Sequence, residues 1–158
     1  MAMKKYAEYE RQLRALGREA VRIQKAADRV YARGCAEIIA ELKAGMLGKW
    51  VCLREPVSSA SGITELSLHH ISNIEIYGTY CNDYKLIHIN NDDSRLFHFY
   101  PGKVKPNVSR YWYEGNYIDL YIEKDFSLWY SYDEILFEDY SRNKYVKKAL
   151  KYMENNKL

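Results

Sequence analysis

Residues 84–100 read YKLIHINNDDSRLFHFY, and how this stretch divides decides the fold. Apolar and polar residues alternate on both sides of Asn91-Asp92-Asp93-Ser94. Period-two alternation marks a strand with one buried face, and Asn, Asp and Ser are turn formers. The stretch therefore predicts a β-hairpin, Tyr84–Asn90 against Arg95–Tyr100, with Ile87, Ile89, Phe97 and Phe99 facing inward. His88 and His98 then project from the opposite face, where the register of such a hairpin makes them cross-strand neighbours.

The same pattern extends outward. Lys49–Arg54, Ile63–Ile71 and Asn73–Tyr80 read as strands upstream, with a Ser-rich loop from Pro56 to Gly62. Downstream, Pro101-Gly102 and Pro106-Asn107 punctuate a loop. Arg110–Tyr113 and Tyr117–Glu123 flank Glu114-Gly115-Asn116 and read as a second hairpin. This series of short strands predicts a small antiparallel barrel or a strongly curved sheet. The tail returns to helix: Ser131-Tyr132-Asp133-Glu134 has the form of a capping box. A second segment, from Ser141, places Tyr145, Val146, Ala149, Leu150 and Met153 on one face.

Before Gly48 the composition is different, rich in Ala, Arg and Glu. Residues 4–46 read as one long helix with Tyr6, Tyr9, Leu13, Leu16, Ala20, Ile23, Ala27, Val30 and Gly34 at alternating three- and four-residue steps. That spacing is a heptad seam, the signature of a coiled coil. The seam narrows at Ala20, Ala27 and Gly34, which lets helix axes approach closely. The register then shifts to Ile38, Ile39, Leu42 and Met46, as a stutter or a break near Arg33-Gly34. The class is α+β. Residues 1–47 form an N-terminal helical oligomerisation segment, and residues 48–158 a tyrosine-rich antiparallel β domain with C-terminal helices.

At 47% hydrophobic and 28% charged residues, the chain has a folded protein's composition. It shows no signal peptide and no apolar run of membrane-spanning length, so a cytoplasmic location is expected. Cys35, Cys52 and Cys81 lack disulfide-framework and zinc spacing, which fits a reducing compartment. Residues 1–49 carry eleven Lys/Arg against six Asp/Glu, whereas residues 50–132 carry seven against ten. The helix is a cation and the β region is mildly acidic.

Sixteen tyrosines are the outlier in composition. In Tyr117–Glu123, Ile118, Leu120 and Ile122 occupy one face, which pushes Tyr117, Asp119 and Tyr121 to the other. With Tyr111 and Tyr113 upstream, these rings suit stacking on bases or anchoring an interface. Candidate ligand- or partner-binding residues are thus Tyr111, Tyr113, Tyr117, Tyr121, His88 and His98, with the nearby cations Arg110 and Lys103. Candidate assembly residues are Leu13, Leu16, Ala20, Ile23, Ala27 and Val30. Opposite the seam, Arg11, Arg14, Arg18, Arg22 and Arg29 form a cationic stripe suited to phosphates or an acidic partner.

No P-loop, dinucleotide fingerprint, CxxC pair, HExxH or Gly-x-Ser-x-Gly is present, and no catalytic, metal or cofactor residue is singled out. His70-Ile71-Ser72 resembles the His-hydrophobic-Ser/Thr element of two-histidine phosphoesterases. The second element would be His88-Ile89-Asn90 or His98-Phe99-Tyr100, and neither carries the hydroxyl.

A charged N-terminal helix ending in Gly48-Lys49-Trp50, then a curved β domain and a terminal helix, resembles small accessory proteins of bacteriophages and prophages. That resemblance implies a counter-defence role in the cytoplasm of a bacterial host. The role would be an anti-CRISPR-like inhibitor that binds a host protein, or an oligomeric sponge for a small signalling nucleotide. It transfers no functional residue. The expectation is a non-catalytic homo-oligomeric binding protein, not an enzyme, that needs no cofactor and no membrane. The alternatives are a nucleic-acid-binding protein using the arginine stripe and a two-histidine phosphoesterase-like enzyme.

Overall fold

The computed structural model describes residues 4–80, 84–110, 117–130 and 140–158. It is an α+β fold with a long N-terminal helix, a curved antiparallel sheet and a short C-terminal helix. Helix α1 spans Ala7–Met46 without a break. Gly34 is accommodated inside it, so the register shift there is not a boundary between two helices. The compact units divide between Glu37 and Ile38, inside α1, while the change in composition falls at Gly48. Among the described residues, no helix is long and apolar enough to cross a membrane.

The sheet is built on two long strands, β3 (Thr64–Tyr80) and β4 (Tyr84–Phe99), paired along their whole length from Thr64↔Phe99 to Tyr80↔Tyr84. This corrects the expected hairpin within residues 84–100. Asn91-Asp92-Asp93-Ser94 is extended strand, and Ile63–Ile71 and Asn73–Tyr80 belong to one strand rather than two. The register advances by unequal steps at three places, leaving Asp92 extra on β4 and Ser72 and Tyr77 extra on β3. Each is a β-bulge, which shifts the in/out alternation by one and sharpens the twist. The turn-forming residues stay extended because each finds a polar partner. Asp92 Oδ1 lies 2.6 Å from His70 Nδ1, and Asp93 accepts from Arg95 at 3.0 Å. Ser94 Oγ lies 3.0 Å from His69 Nδ1 and donates to Asn91 Oδ1 at 3.0 Å. These pairs, across to β3 and along β4, replace what a turn would supply, although Asn91 Nδ2 and Asp93 Oδ1 stay buried without a hydrogen bond.

The short strands β1 (Trp50–Val51) and β2 (Val57–Ser58) pair with the outer edge of β3. On the far edge of β4, β5 (Asn107–Arg110) pairs with Arg95–His98, and β6 (Tyr117–Ile122) with Lys85–Asn90. Strand β7 (Leu128–Tyr130) closes the order on β6. Both β5 and β6 are antiparallel to β4 and follow one another along it, whereas Tyr111–Tyr113 of the expected second hairpin lie outside the described residues. Glu114-Gly115-Asn116 lies outside the described residues, as does Ser131-Tyr132-Asp133-Glu134.

Two sets of buried side chains hold the sheet. Ile74, Ile89 and Ile118 stand in one cross-strand row, and Ile76, Ile87 and Leu120 in the next. All except the exposed Ile76 are buried. Toward the other end, Leu66, Leu68 and Phe97 pack with Cys52 against Val146, Ala149 and Met153 of α2 (Lys144–Asn156). The apolar face expected for that helix is thus the face it buries. Its N-cap is Asn143, two residues beyond the expected start at Ser141, with a side chain that accepts from the Tyr145 amide at 2.9 Å. Asn143→Ala removes that acceptor and is expected to cost about 1 kcal/mol, read as a lower urea midpoint with unchanged slope.

Candidate functional site

The expected single Tyr/His surface separates into two places. His88 lies opposite Glu75 on β3 and Asp119 on β6, so these three share one face, away from the Ile/Leu rows. His88 Nε2 is 3.0 Å from Asp119 Oδ1. That oxygen takes no hydrogen bond, so the two groups lie close without being aligned for one. The bulge at Tyr77 re-aims its ring, which stacks on His88 at 4.0 Å and 15° while remaining 68% exposed. One step along the face, Tyr121 stacks on Trp129 at 4.2 Å, and Tyr84 meets the same indole edge-on at 5.8 Å. His88 and Tyr121 are therefore brought together, and the Tyr121 ring is half-covered by its own sheet. Tyr111 and Tyr113 lie outside the described residues, as does the side chain of Tyr117.

His98 is not a neighbour of His88. With no turn between them they sit ten residues apart on one strand, on the order of 30 Å along it. His98 Nε2 instead lies 3.3 Å from Glu65, which also has Arg54 at 3.9 Å. Arg110, opposite Arg95, is exposed at the end of β5. His70 is held by Asp92 and by the Gly48 carbonyl, 3.2 Å from its Nε2.

Lys103 belongs to the second place. Tyr100-Pro101-Gly102-Lys103 is a turn closed by Lys103 N–H donating to the Tyr100 carbonyl at 3.2 Å, with Gly102 at φ +73°. Pro at the second position and Gly at the third are the residues a type II turn requires. The turn carries Lys103 Nζ back over the Tyr100 ring, 5.1 Å from its centroid. Gly62 (φ +81°) packs against this loop so closely that a Cβ there would meet Pro101 Cγ at 2.9 Å. Between this loop and α2 lies a groove of about 720 Å3, lined among others by Tyr100, Lys103, Tyr145, Lys148, Lys151 and Tyr152. Lys148 and Lys151 are three apart on α2 and share a face. The groove is positive. Tyr145 is held below the usual tyrosine range by its hydrogen bond to Thr64, and then by the charges of Lys144 and Lys148.

Of these groove residues the sequence reading singled out Lys103, and not Tyr100, Tyr145, Lys148, Lys151 or Tyr152. Two signals pointed to them: the Tyr-Pro-Gly-Lys turn, and the lysines that alternate with the apolar face of the last helix.

The N-terminal helix carries the remaining candidates. Tyr6, Tyr9, Leu13, Leu16, Ile23 and Val30 are 47% to 68% exposed, and Ala20 and Ala27 are exposed too. All five arginines of the stripe are exposed, but Arg11 pairs with Glu8 at 2.9 Å and Arg22 with Glu19, each one turn back along the helix. Among the described residues, no three His, Cys, Asp or Glu come together to hold a metal ion. No protein-family model, no curated protein and no solved structure matches this chain.

Proposed function

We propose that this protein is a non-catalytic binding protein that assembles through its N-terminal helix and holds its ligand on the β domain. The exposed seam carries the reading: large apolar side chains stand at heptad spacing from Tyr6 to Val30. Isolated exposed apolar residues are ordinary on a surface, but a continuous stripe marks an interface. Its occupant is a second copy of the chain. The seam is bulky at one end (Tyr6, Tyr9, Leu13, Leu16) and narrow at Ala20 and Ala27. An antiparallel partner centred near Ala20 sets Leu13 against Ala27, large against small, which fills the space as close packing requires. A parallel pair stacks large on large and leaves voids at the alanines. Twenty-five residues of helix span roughly 37 Å, and a seam of that length buries an area on the order of 800 Å2 per partner, as in stable dimers.

Light scattering on the full chain tests it. The native protein is expected at twice 18.7 kDa or more, and Leu16→Lys with Ile23→Lys at 18.7 kDa with the β domain still folded. A native protein that stays at 18.7 kDa across micromolar concentrations ends the assembly reading. A counter-defence role as an oligomeric sponge or inhibitor, in a bacterial host's cytoplasm, is compatible with this arrangement and is proposed with it. Nucleic-acid binding by the arginine stripe is weaker, because two of its five arginines already have carboxylate partners.

A further inference from the structure

We infer that the groove between the Tyr100–Pro106 loop and α2 is a nucleotide site, with phosphate on Lys103, Lys148 and Lys151 and the base against the tyrosine rings. The inference rests on the binding function proposed above and supplies its ligand class. Three lysines from two separate elements line one concave space, and among the described residues no acidic side chain lines it with them. None of the three makes an ion pair among the described residues. Lysines gathered around one hollow attract an anion, and lysine binds phosphate as a point charge.

Aromatic side chains line the groove as well, with Tyr100, Tyr145 and Tyr152 beside the lysines. Base–aromatic stacking is the general means of holding a nucleobase without reading its edge. A groove of about 720 Å3 falls within the range of small-ligand sites. It is also built in advance. The Pro101-Gly102 turn fixes Lys103, the Gly62–Pro101 contact sets the outer wall, and α2 is anchored through Met153, Ala149 and Val146. A polynucleotide tract would call for cations spaced in file along an open surface. Here the three line one hollow, which favours a mononucleotide or dinucleotide.

Calorimetry on the full chain in about 0.15 M salt tests the site with AMP, ATP, inorganic triphosphate and a short oligothymidylate. ATP is expected to bind, and Lys148→Glu with Lys151→Glu to weaken it at least about tenfold at unchanged melting temperature. Lys103→Ala, on the loop and away from the helix, is expected to weaken it as well, which guards against a helix defect. Inorganic triphosphate is expected to bind at least about tenfold more weakly than ATP. Absence of heat with both AMP and ATP overturns the proposal, as does undiminished ATP affinity in the lysine variants. Equal affinity for triphosphate and ATP overturns it too, since the rings then contribute nothing. Oligothymidylate bound where ATP is not would make the groove a nucleic-acid surface instead. Mass by light scattering on the same samples separates the two readings: lost binding at unchanged oligomer mass removes the nucleotide site and leaves assembly standing.

Discussion

Phe97→Ala is expected to lower the unfolding free energy by roughly 3–5 kcal/mol, the usual cost of emptying a fully buried aromatic site. Phe97 is completely buried at the middle of the set that joins sheet to helix. It stands opposite Leu66 on β3 and Val108 on β5. Its ring stacks on Phe99 at 6.1 Å and takes Tyr152 edge-on at 6.4 Å. Such aromatic pairs contribute beyond the area they bury. Neighbours from three strands and a helix cannot all relax into the space, so a cavity persists. Against a typical total of roughly 5–15 kcal/mol, the variant stands at the edge of unfolding. Urea denaturation followed by far-UV dichroism reads the change. A loss below about 1 kcal/mol would mean that α2 is not docked on Phe97. Tyr152 also lines the groove beside α2, so the same substitution is expected to loosen the site proposed there.

Acidification is expected to destabilise the fold through His69. This imidazole is buried at the bulge, and its pKa is pushed down to about 4, first by burial and then by the positive charge of Arg54. The Ser94 hydroxyl gives its one proton to Asn91, so its oxygen accepts from Nδ1–H of His69. In that tautomer the neutral ring satisfies the network, whereas a second proton would put a charge into the dry interior. The unfolded chain titrates His69 near its ordinary value of 6.5. Between pH 6.5 and 4 the unfolded state therefore binds more protons than the native one, and stability falls as pH falls. The contribution is complete above 6.5 and its loss is complete below 4, in all on the order of 3 kcal/mol. Unfolding free energies at pH 7 and pH 4.5 read it, with His69→Gln as the comparison. The variant is expected to lose less stability across that interval. Equal losses in the two proteins would place the pH dependence elsewhere.

Much of the architecture was legible because period alone carries it. The three- and four-residue steps from Tyr6 to Val30 specify a helix whatever it packs on, and Ile118, Leu120 and Ile122 specify a strand with a buried face. Val146, Ala149 and Met153 fall at helical spacing and are the residues α2 buries. Asn91-Asp92-Asp93-Ser94 misled because turn propensity is a property of the isolated segment. Its partner in the structure, the run from His69 to Ile71, is twenty or more residues distant along the chain, and pairing with that strand keeps the segment extended. The site shared that fate. Placing His98 beside His88 depended wholly on the turn that does not form, whereas Asp119 came to His88 from a strand read correctly but without a known register.

By itself, then, the sequence determined the α+β class, the long first helix with its apolar seam, and the buried stripe of Ile118, Leu120 and Ile122. These follow from local spacing and from the need to remove apolar side chains from water. Tertiary structure alone decided which strands pair, where the bulges at Ser72, Tyr77 and Asp92 fall, and which charged and aromatic side chains converge. Lys103 is forty-five residues from Lys148 along the chain, and they face one groove because α2 folds back on Leu66, Leu68 and Phe97. Local periodicity holds no record of such a meeting, since it depends on the packing of distant apolar faces against each other.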